Sequence, residues 1–206
     1  IEKIDKNYLH SIITCYKCGR DLEPLTVPNW FIKVASLKKE VARVVGKDQV
    51  QFYPKKHKRH MLIWLEIMHD WPISRQIVWG IQIPVWYDAN KNPDLDIVFL
   101  NSKKEIIKGK LSQLLKCYPL SEIKSGLQTL QASKNAEYVV SESAPAGNFL
   151  QETDTFDTWF SSGQWPLVTN ATYPSDVMAT SADILRFWVS RMIMFGLYLK
   201  NEIPFK

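Results

Sequence analysis

The sequence predicts an α/β chain built on a doubly wound parallel sheet, and three stretches carry that expectation. Val177–Thr180 has the composition of a short buried strand. It is followed by a polar turn, Ser181-Ala-Asp183, and then by the amphipathic helical run ILRFWVSRMIMFGLYL, residues 184–199. Thr153–Pro166, TDTFDTWFSSGQWP, begins with the alternation of a strand and passes into Ser161, Ser162 and Gly163. Those are turn-formers that let a backbone approach a ligand. Near the other end, Asn29–Val34 reads as a strand and Ala35–Val45 as a helix, with Leu37, Val41, Val44 and Val45 on its apolar side and Gly46 as its stop.

Composition bounds the class. The 206 residues suffice for one sizeable domain or two small ones, and 46% hydrophobic residues with eight tryptophans describe a globular chain with a core. A net charge of +5 and a pI near 9.0 suit an anionic partner without requiring one. Three cysteines make no disulfide framework, so a reducing, cytoplasmic setting is expected. No apolar run reaches the roughly 18 residues of a membrane span, so no membrane partner is expected. The chain opens on Ile1, which reads as a piece of something longer.

In chain order, Cys15-Tyr-Lys-Cys18-Gly19 has the spacing of a zinc knuckle, where a tight turn aims two thiolates at one metal. It supplies two of four ligands, and a pair of reduced structural cysteines fits the same residues. Val50–Tyr53 is a strand candidate. Lys55–His69 reads as a helix that opens on KKHKRH and continues with apolar Ile63, Trp64, Ile67 and Met68. So many cations at the positive end of a helix are either a solvated face or a site for an anionic partner such as nucleic-acid phosphate. Asp70–Asp88 is dense in Trp, Gly and Pro. Packing accounts for Trp71, Trp79 and Trp86, and Ile81, Ile83 and Val85 alternate as a strand, but burial does not account for the triplet Ser74-Arg75-Gln76. Ala89–Leu150 changes character, with a strand at Ile97–Leu100, a lysine-rich helix-like segment through Cys117, and a helical turn or two at Lys124–Leu130. No phosphate-cradling G-x-x-x-x-G-K-[ST] loop occurs.

Taken together, Trp159 at the end of one strand, and Asp183, Ile184 and Trp188 after another, are suited to closing over a small apolar group and a ribose. A carboxylate accepts two hydrogen bonds while bearing charge, and Trp faces form a rigid wall for a branched side chain. Trp188 on the core face of an amphipathic helix, and Trp159 packed beside an ordinary turn, are the plainer alternatives. Ser181 or Thr180 is the expected N-cap. No nucleophile–base pair or carboxylate dyad occurs in recognisable spacing, so no catalytic residue is assigned.

These blocks have an ordered likeness. CYKCG with EPLTVPNWFIKV, then WPISRQIVWGIQIPVWY, DTFDTWFSSGQWP and SADILRFWVSRMIMFG, resemble in order the class I aminoacyl-tRNA synthetases of the valyl, isoleucyl and leucyl group, most like its valyl members. The resemblance implies a fragment of a Rossmann-type catalytic domain. It would divide as a zinc-knuckle-like segment at 1–27, a connecting region at 28–88, an inserted subdomain at 89–150, and the second-half βα units with the aminoacyl-adenylate site at 151–206. It implies that Trp159, Ile184 and Trp188 line the valine pocket, that Asp183 with the backbone of Thr180, Ser181 and Ala182 holds the ribose and amino-acid end, and that ATP and Mg²⁺ serve the whole enzyme. The charge cluster makes Lys55, Lys56, Lys58 and Arg59 candidate tRNA contacts, and Arg75 and Gln76 match a family motif whose implied role is structural or positioning of the tRNA end. Cys15 and Cys18 would share Zn²⁺ with ligands elsewhere in the synthetase. Ser181 stands where the family has Gly, Cys117 stands alone where a second knuckle would lie, and the HIGH and KMSKS motifs are absent, so the chain by itself is expected to be inactive. An isoleucyl fragment and a non-catalytic RNA-binding module are the alternatives.

Overall fold

A computed structural model describes residues 9, 11–23, 26–169 and 172–205. Pro24 and Leu25, which belong to one of the motif blocks, lie outside them. The described residues form a mixed α/β structure with two apolar cores and four small sheets.

The first core is mainly helical. β1 (Phe31–Ile32) leads into α1 (Ala35–Gly46), which buries Val41, Val44 and Val45 as its sequence predicts. Its free N-terminal amides begin at Val34, whose N–H donates to Asp70 Oδ1 at 3.0 Å. A carboxylate is favoured at that end of a helix. At the other end Lys58 Nζ donates to the Gly46 carbonyl at 3.1 Å. α2 (Lys56–Ile67) buries Met61 and Leu65, and Met68 follows on the same side, a spacing of four and then three. Of the apolar positions expected from sequence, Met68 is buried and Trp64 half-buried, while Ile63 and Ile67 are exposed, because the i, i+4, i+7 row centred on Leu65 is the one that faces α1. Lys38 Nζ joins the two helices through the Met68 carbonyl at 2.8 Å. Val50–Tyr53 forms no strand: Val50 is buried, and no ladder is built on the segment.

β2 (Trp71–Pro72) pairs antiparallel with β1, and β3 (Ser74–Arg75) follows at once. The second core then gathers residues from Ile83 to Leu150. β4 (Val85–Asp88) starts later than the Ile81 alternation suggests. Ile83 and Val85 are buried while Ile81 is exposed, and Val85 N–H turns back to the Ile83 carbonyl at 2.8 Å. β5 (Asp96–Leu100) is the centre of a three-stranded sheet whose neighbours are β6 (Ile106–Lys110) and β7 (Leu127–Gln131). β6 occupies the stretch expected to be helical, since its residues pair Ile106↔Leu100 through Lys110↔Asp96. Helix is confined there to α3 (Leu111–Leu114), and α4 (Leu120–Gly126) ends just where the later helical turn was expected to run on. β8 (Tyr138–Val140) and β9 (Phe149–Gln151) flank β4.

β10 (Thr155–Phe156) pairs antiparallel with β3, Thr155 opposite Arg75 and Phe156 opposite Ser74. It is shorter than TDTFDT suggests because the Glu152 carboxylate takes the amides of Thr153 and Asp154, at 2.7 and 3.2 Å. Those amides are then unavailable to a ladder. α5 (Thr158–Ser162) and α6 (Trp165–Val168) come next, then a π-helical turn at Leu185–Val189, then α7 (Ser190–Lys200). α7 buries every residue from Ser190 to Gly196, so it is a core helix and not the amphipathic one expected.

The expected doubly wound parallel sheet is not formed by the described residues. Every strand ladder is antiparallel, and Val177–Thr180 is irregular. What exists is one parallel bridge, Ser175↔Phe205, with Ser175 N–H donating to the Pro204 carbonyl at 2.9 Å across the helical crossover. A parallel ladder needs a strand neighbour along its length, and here the pairing ends after one step. No helix among the described residues is long and apolar enough to cross a membrane.

Candidate substrate-binding site

The segment Thr158–Ser162 is helical where a turn was expected. Trp159, Ser161 and Ser162 lie on α5, and Gly163 follows at φ −64°, a value open to any residue. Gly163 serves close packing instead: a Cβ there would come within 2.9 Å of the Phe195 ring and 3.0 Å of the Trp159 carbonyl.

α5 meets the π-helical turn. The Ile184 carbonyl accepts both the Phe187 and Trp188 amides, at 3.1 and 2.7 Å. The widened turn presents consecutive aromatic side chains to different neighbours. Phe187 stacks on Trp159, centroids 6.1 Å apart at 28°, and meets Trp64 edge-on at 5.6 Å. Trp188 donates its indole N–H to the Ser162 carbonyl at 2.9 Å. Trp159, Ile184 and Trp188 are thus brought to one junction, all three half-buried.

Asp183 stands beside that junction and is exposed. The Ser181 hydroxyl donates to its Oδ1, and this bond, with the amides of Asp183 and Ile184, holds its carboxyl below the ordinary aspartate range. Ser181 is therefore engaged with Asp183, and neither it nor Thr180 makes the expected N-cap hydrogen bond. Thr180, Ser181 and Ala182 line a cavity of about 470 Å³ together with Val50–Pro54 and His57. Asp183, Trp159 and Trp188 do not line it.

The two acids of DTFD are structural anchors for the Ser-Arg-Gln triplet. Asp157, 4% exposed, accepts the Trp71 indole N–H at 2.9 Å and Arg75 Nη2 at 3.0 Å. Gln76 donates to Asp154 Oδ2 at 2.6 Å, and Ser74 Oγ accepts the Trp30 amide at 2.9 Å. Burial raises the Asp154 carboxyl above its usual range despite the Gln76 bond. Glu152, also buried, accepts Trp30 Nε1 and Tyr87 OH, each at 3.0 Å. Desolvation and this carboxylate push the Tyr87 phenol up. Arg191 of α7 completes the group: its guanidinium lies 4.1 Å over the Trp71 ring, and burial lowers it to about 10, opposed by Asp157. Sequence signals existed for part of this, in the unexplained triplet and in the acids of DTFD. The lone arginine inside the apolar run SRMIMFG is the sequence mark of Arg191.

The five basic residues divide. Lys55, Lys56 and Arg59 are exposed. Lys58 is tied to Gly46 and to Asp48 Oδ1 at 2.7 Å, and Arg75 to Asp157, so both are engaged by the fold. The cysteine turn is formed: Gly19 N–H donates to the Cys15 carbonyl at 2.8 Å with Gly19 at φ +70°, a value that favours glycine, and Thr14 bridges Asp21. Amide donation from Cys18 and Lys17 lowers the Cys15 thiol. That suits a metal-binding thiolate, but Cys15 and Cys18 join no group of three or more His, Cys, Asp or Glu among the described residues.

Comparison with known proteins accounts for the order of these blocks. Residues 2–206 match the family model described as tRNA synthetases class I (I, L, M and V). The valine--tRNA ligase of Petrotoga mobilis is 33% identical over 98% of this chain and 20% of its own length. Those of Fusobacterium nucleatum and Coxiella burnetii are each 35% identical, over 96% and 92% of this chain and 20% and 18% of theirs. The chain spans about a fifth of the length of the curated relatives it matches. With both the family model and these relatives matched over nearly its whole length, the chain belongs to the class I tRNA synthetases of the isoleucine, leucine, methionine and valine group.

Proposed function

We propose that this chain is part of a valine--tRNA ligase acting in the cytoplasm, and that it contributes one side of the pocket for valine and valyl-adenylate. In the whole enzyme the valine carboxylate attacks the α-phosphorus of ATP, with Mg²⁺ on the phosphates, and pyrophosphate leaves. A terminal ribose hydroxyl of tRNA then attacks the valyl carbonyl, and AMP leaves. Catalysis of this kind rests on orientation and on stabilising phosphate charge. The residues here are binders. Trp159 and Trp188, with Ile184, wall the branched side chain, and the ionised, exposed Asp183 accepts ribose hydroxyls or the α-ammonium, with the Thr180–Ala182 backbone beside it.

The observation that supports this reading is the junction of α5 with the π-helical turn, where Phe187 stacks on Trp159 and Trp188 donates to the Ser162 carbonyl, with Asp183 and Ile184 just before the turn. An apolar wall separates valine from a side chain with one more methylene by about 1–3 kcal/mol, a magnitude established on synthetases of this same group and taken from there. Lys55, Lys56 and Arg59 are the cations open to tRNA phosphates. Cys15 and Cys18 supply two thiolates for zinc, with the other ligands from the rest of the synthetase. Val177–Thr180, beyond the Ser175–Phe205 bridge, takes its place in a doubly wound Rossmann sheet completed by that remainder, and the division at 27, 88 and 150 follows the same scheme.

The test is valine-dependent ATP–pyrophosphate exchange by the polypeptide of the complete reading frame. Trp188→Ala should raise the KM for valine far more than that for ATP. Equal effects on both would make Trp188 a core residue and remove it from the pocket.

A further inference from the structure

Of the three tryptophans in the block from Trp71 to Trp86, two are buried and Trp79 is 87% exposed. Packing therefore does not explain it. Ile77, Val78 and Ile81 are exposed beside it, and Ile77-Val-Trp-Gly-Ile81 carries no charge. Single exposed apolar residues are ordinary. A continuous run with a Trp is the composition of an interface anchor.

This loop is also pinned at both ends. At its start Arg75 is paired with Asp157 at 3.0 Å and Gln76 donates to Asp154 at 2.6 Å. At its end Gly80, at φ +146°, lies so close to Thr155 that an added Cβ would come within 2.9 Å of the Thr155 Cβ. The Ile81 carbonyl then accepts the Phe156 amide at 2.8 Å. Both clamps act on β10 or its flanking residues, the strand that leads into α5 and Trp159.

We infer that Ile77–Ile81 is a docking knob, with Trp79 at its centre, that seats in an apolar recess of the synthetase chain outside these 206 residues; the inference rests on the function proposed above. The occupant follows from how much chain is available: the relatives extend for about four fifths of their length beyond the matched region. A preformed knob keeps the ordering cost of docking low, because the loop is already held in one shape. Its clamps on β10 make docking of Trp79 orient the helix that carries Trp159 toward the rest of the active site. The knob is thus a positioning surface for the pocket.

Oxidative footprinting of the tryptophans tests this in the 206-residue chain and in the polypeptide of the complete reading frame. Trp79 should be oxidised readily in the short chain and lose its reactivity in the long one, with Trp71 protected in both as a measure of folding. Equal oxidation of Trp79 in both would overturn the inference. So would protection in the short chain that grows with its concentration, which would assign the knob to a second copy, or protection of the long polypeptide only when tRNA is added, which would assign it to RNA. Valine-dependent exchange on the same sample separates the two proposals. Exchange without Trp79 protection sinks the knob alone, and Trp79 protection without exchange sinks the valine function alone.

Discussion

Asp157→Asn is the sharpest probe of how the motif blocks hold one another. The side chain is 6% exposed and serves three neighbours: the Trp71 indole, Arg75, and the charge of Arg191 over the Trp71 ring. The amide keeps the shape and can still accept from Trp71. A hydrogen bond to a charged acceptor contributes about 1.5–3 kcal/mol and a neutral one about 1 kcal/mol, so this exchange costs about 1 kcal/mol. The Arg75 side chain is 40% exposed. Solvent screens that pair, and losing it adds about 0.5–1 kcal/mol. Arg191 is left buried without its nearby opposite charge, which brings the total to about 2–3 kcal/mol. Asp157→Ala also leaves the Trp71 indole N–H without an acceptor and should cost about 4 kcal/mol. The control is Asp96→Asn, which breaks a pair with Lys110 whose side chains are 57% and 43% exposed. That change should cost no more than about 0.5 kcal/mol. Urea unfolding followed by tryptophan emission reads each as a midpoint shift at constant slope. If Asp157→Asn and Asp96→Asn shift the midpoint equally, the buried carboxylate is not the anchor described.

Three further outcomes follow from individual sites. Asp154 has its carboxyl raised by burial, so the folded state binds its proton more tightly than the unfolded chain. Its contribution to stability therefore falls as pH rises from the unfolded aspartate range through the folded value, and Asp154→Asn should remove that slope in urea midpoints measured from pH 3 upward. A wild-type profile with the same slope as the variant would contradict the burial effect. The Cys15 thiol, lowered by amide donors, should be alkylated by iodoacetamide with a pH midpoint below the ordinary thiol range, read by peptide mass spectrometry, and an ordinary midpoint would mean that the turn does not persist in solution. Gly126→Ala should destabilise the second core by about 3 kcal/mol or more, since the new methyl would fall 1.9 Å from the Leu100 carbonyl oxygen. Gly163→Ala meets the Phe195 ring at 2.9 Å, which can shift, and should cost less in the same assay.

Local periodicity made α1 legible, because its buried residues Val41, Val44 and Val45 form a single apolar row on a helix packed by both α2 and α7. It misplaced the buried stripe of α2, where two apolar rows compete and only tertiary contact with α1 decides between them. Strand lengths failed for a different reason. TDTFDT alternates, but the Glu152 carboxylate captures the amides a ladder would use. Val177–Thr180 reads as a buried strand, yet Val177 is 82% exposed, because burying a parallel strand takes neighbours that the chain brings in only at the Ser175–Phe205 bridge. The motif residues were easier to find than their partners. Trp159 and Trp188 both lie where α5 adjoins the π-helical turn, Trp159 through its stack on Phe187 and Trp188 through the Ser162 carbonyl, whereas the pairing of Arg75 with Asp157 and of Gln76 with Asp154 spans about eighty positions and leaves no local mark. Nor did composition separate Trp79 from Trp71: both sit in the same Trp-rich block, yet Trp79 is exposed in a loop pinned on either side of it and Trp71 is buried.

The most direct measurement is calorimetric titration of non-hydrolysable valyl-adenylate and isoleucyl-adenylate analogues into the polypeptide of the complete reading frame, into this chain, and into the longer polypeptide with Trp159→Ala. A valine-site half predicts preference for the valyl analogue in the long polypeptide, weaker binding by the chain alone, and loss of the preference with Trp159→Ala. Binding of neither analogue by the long polypeptide, or a valyl preference that survives Trp159→Ala unchanged, would contradict it.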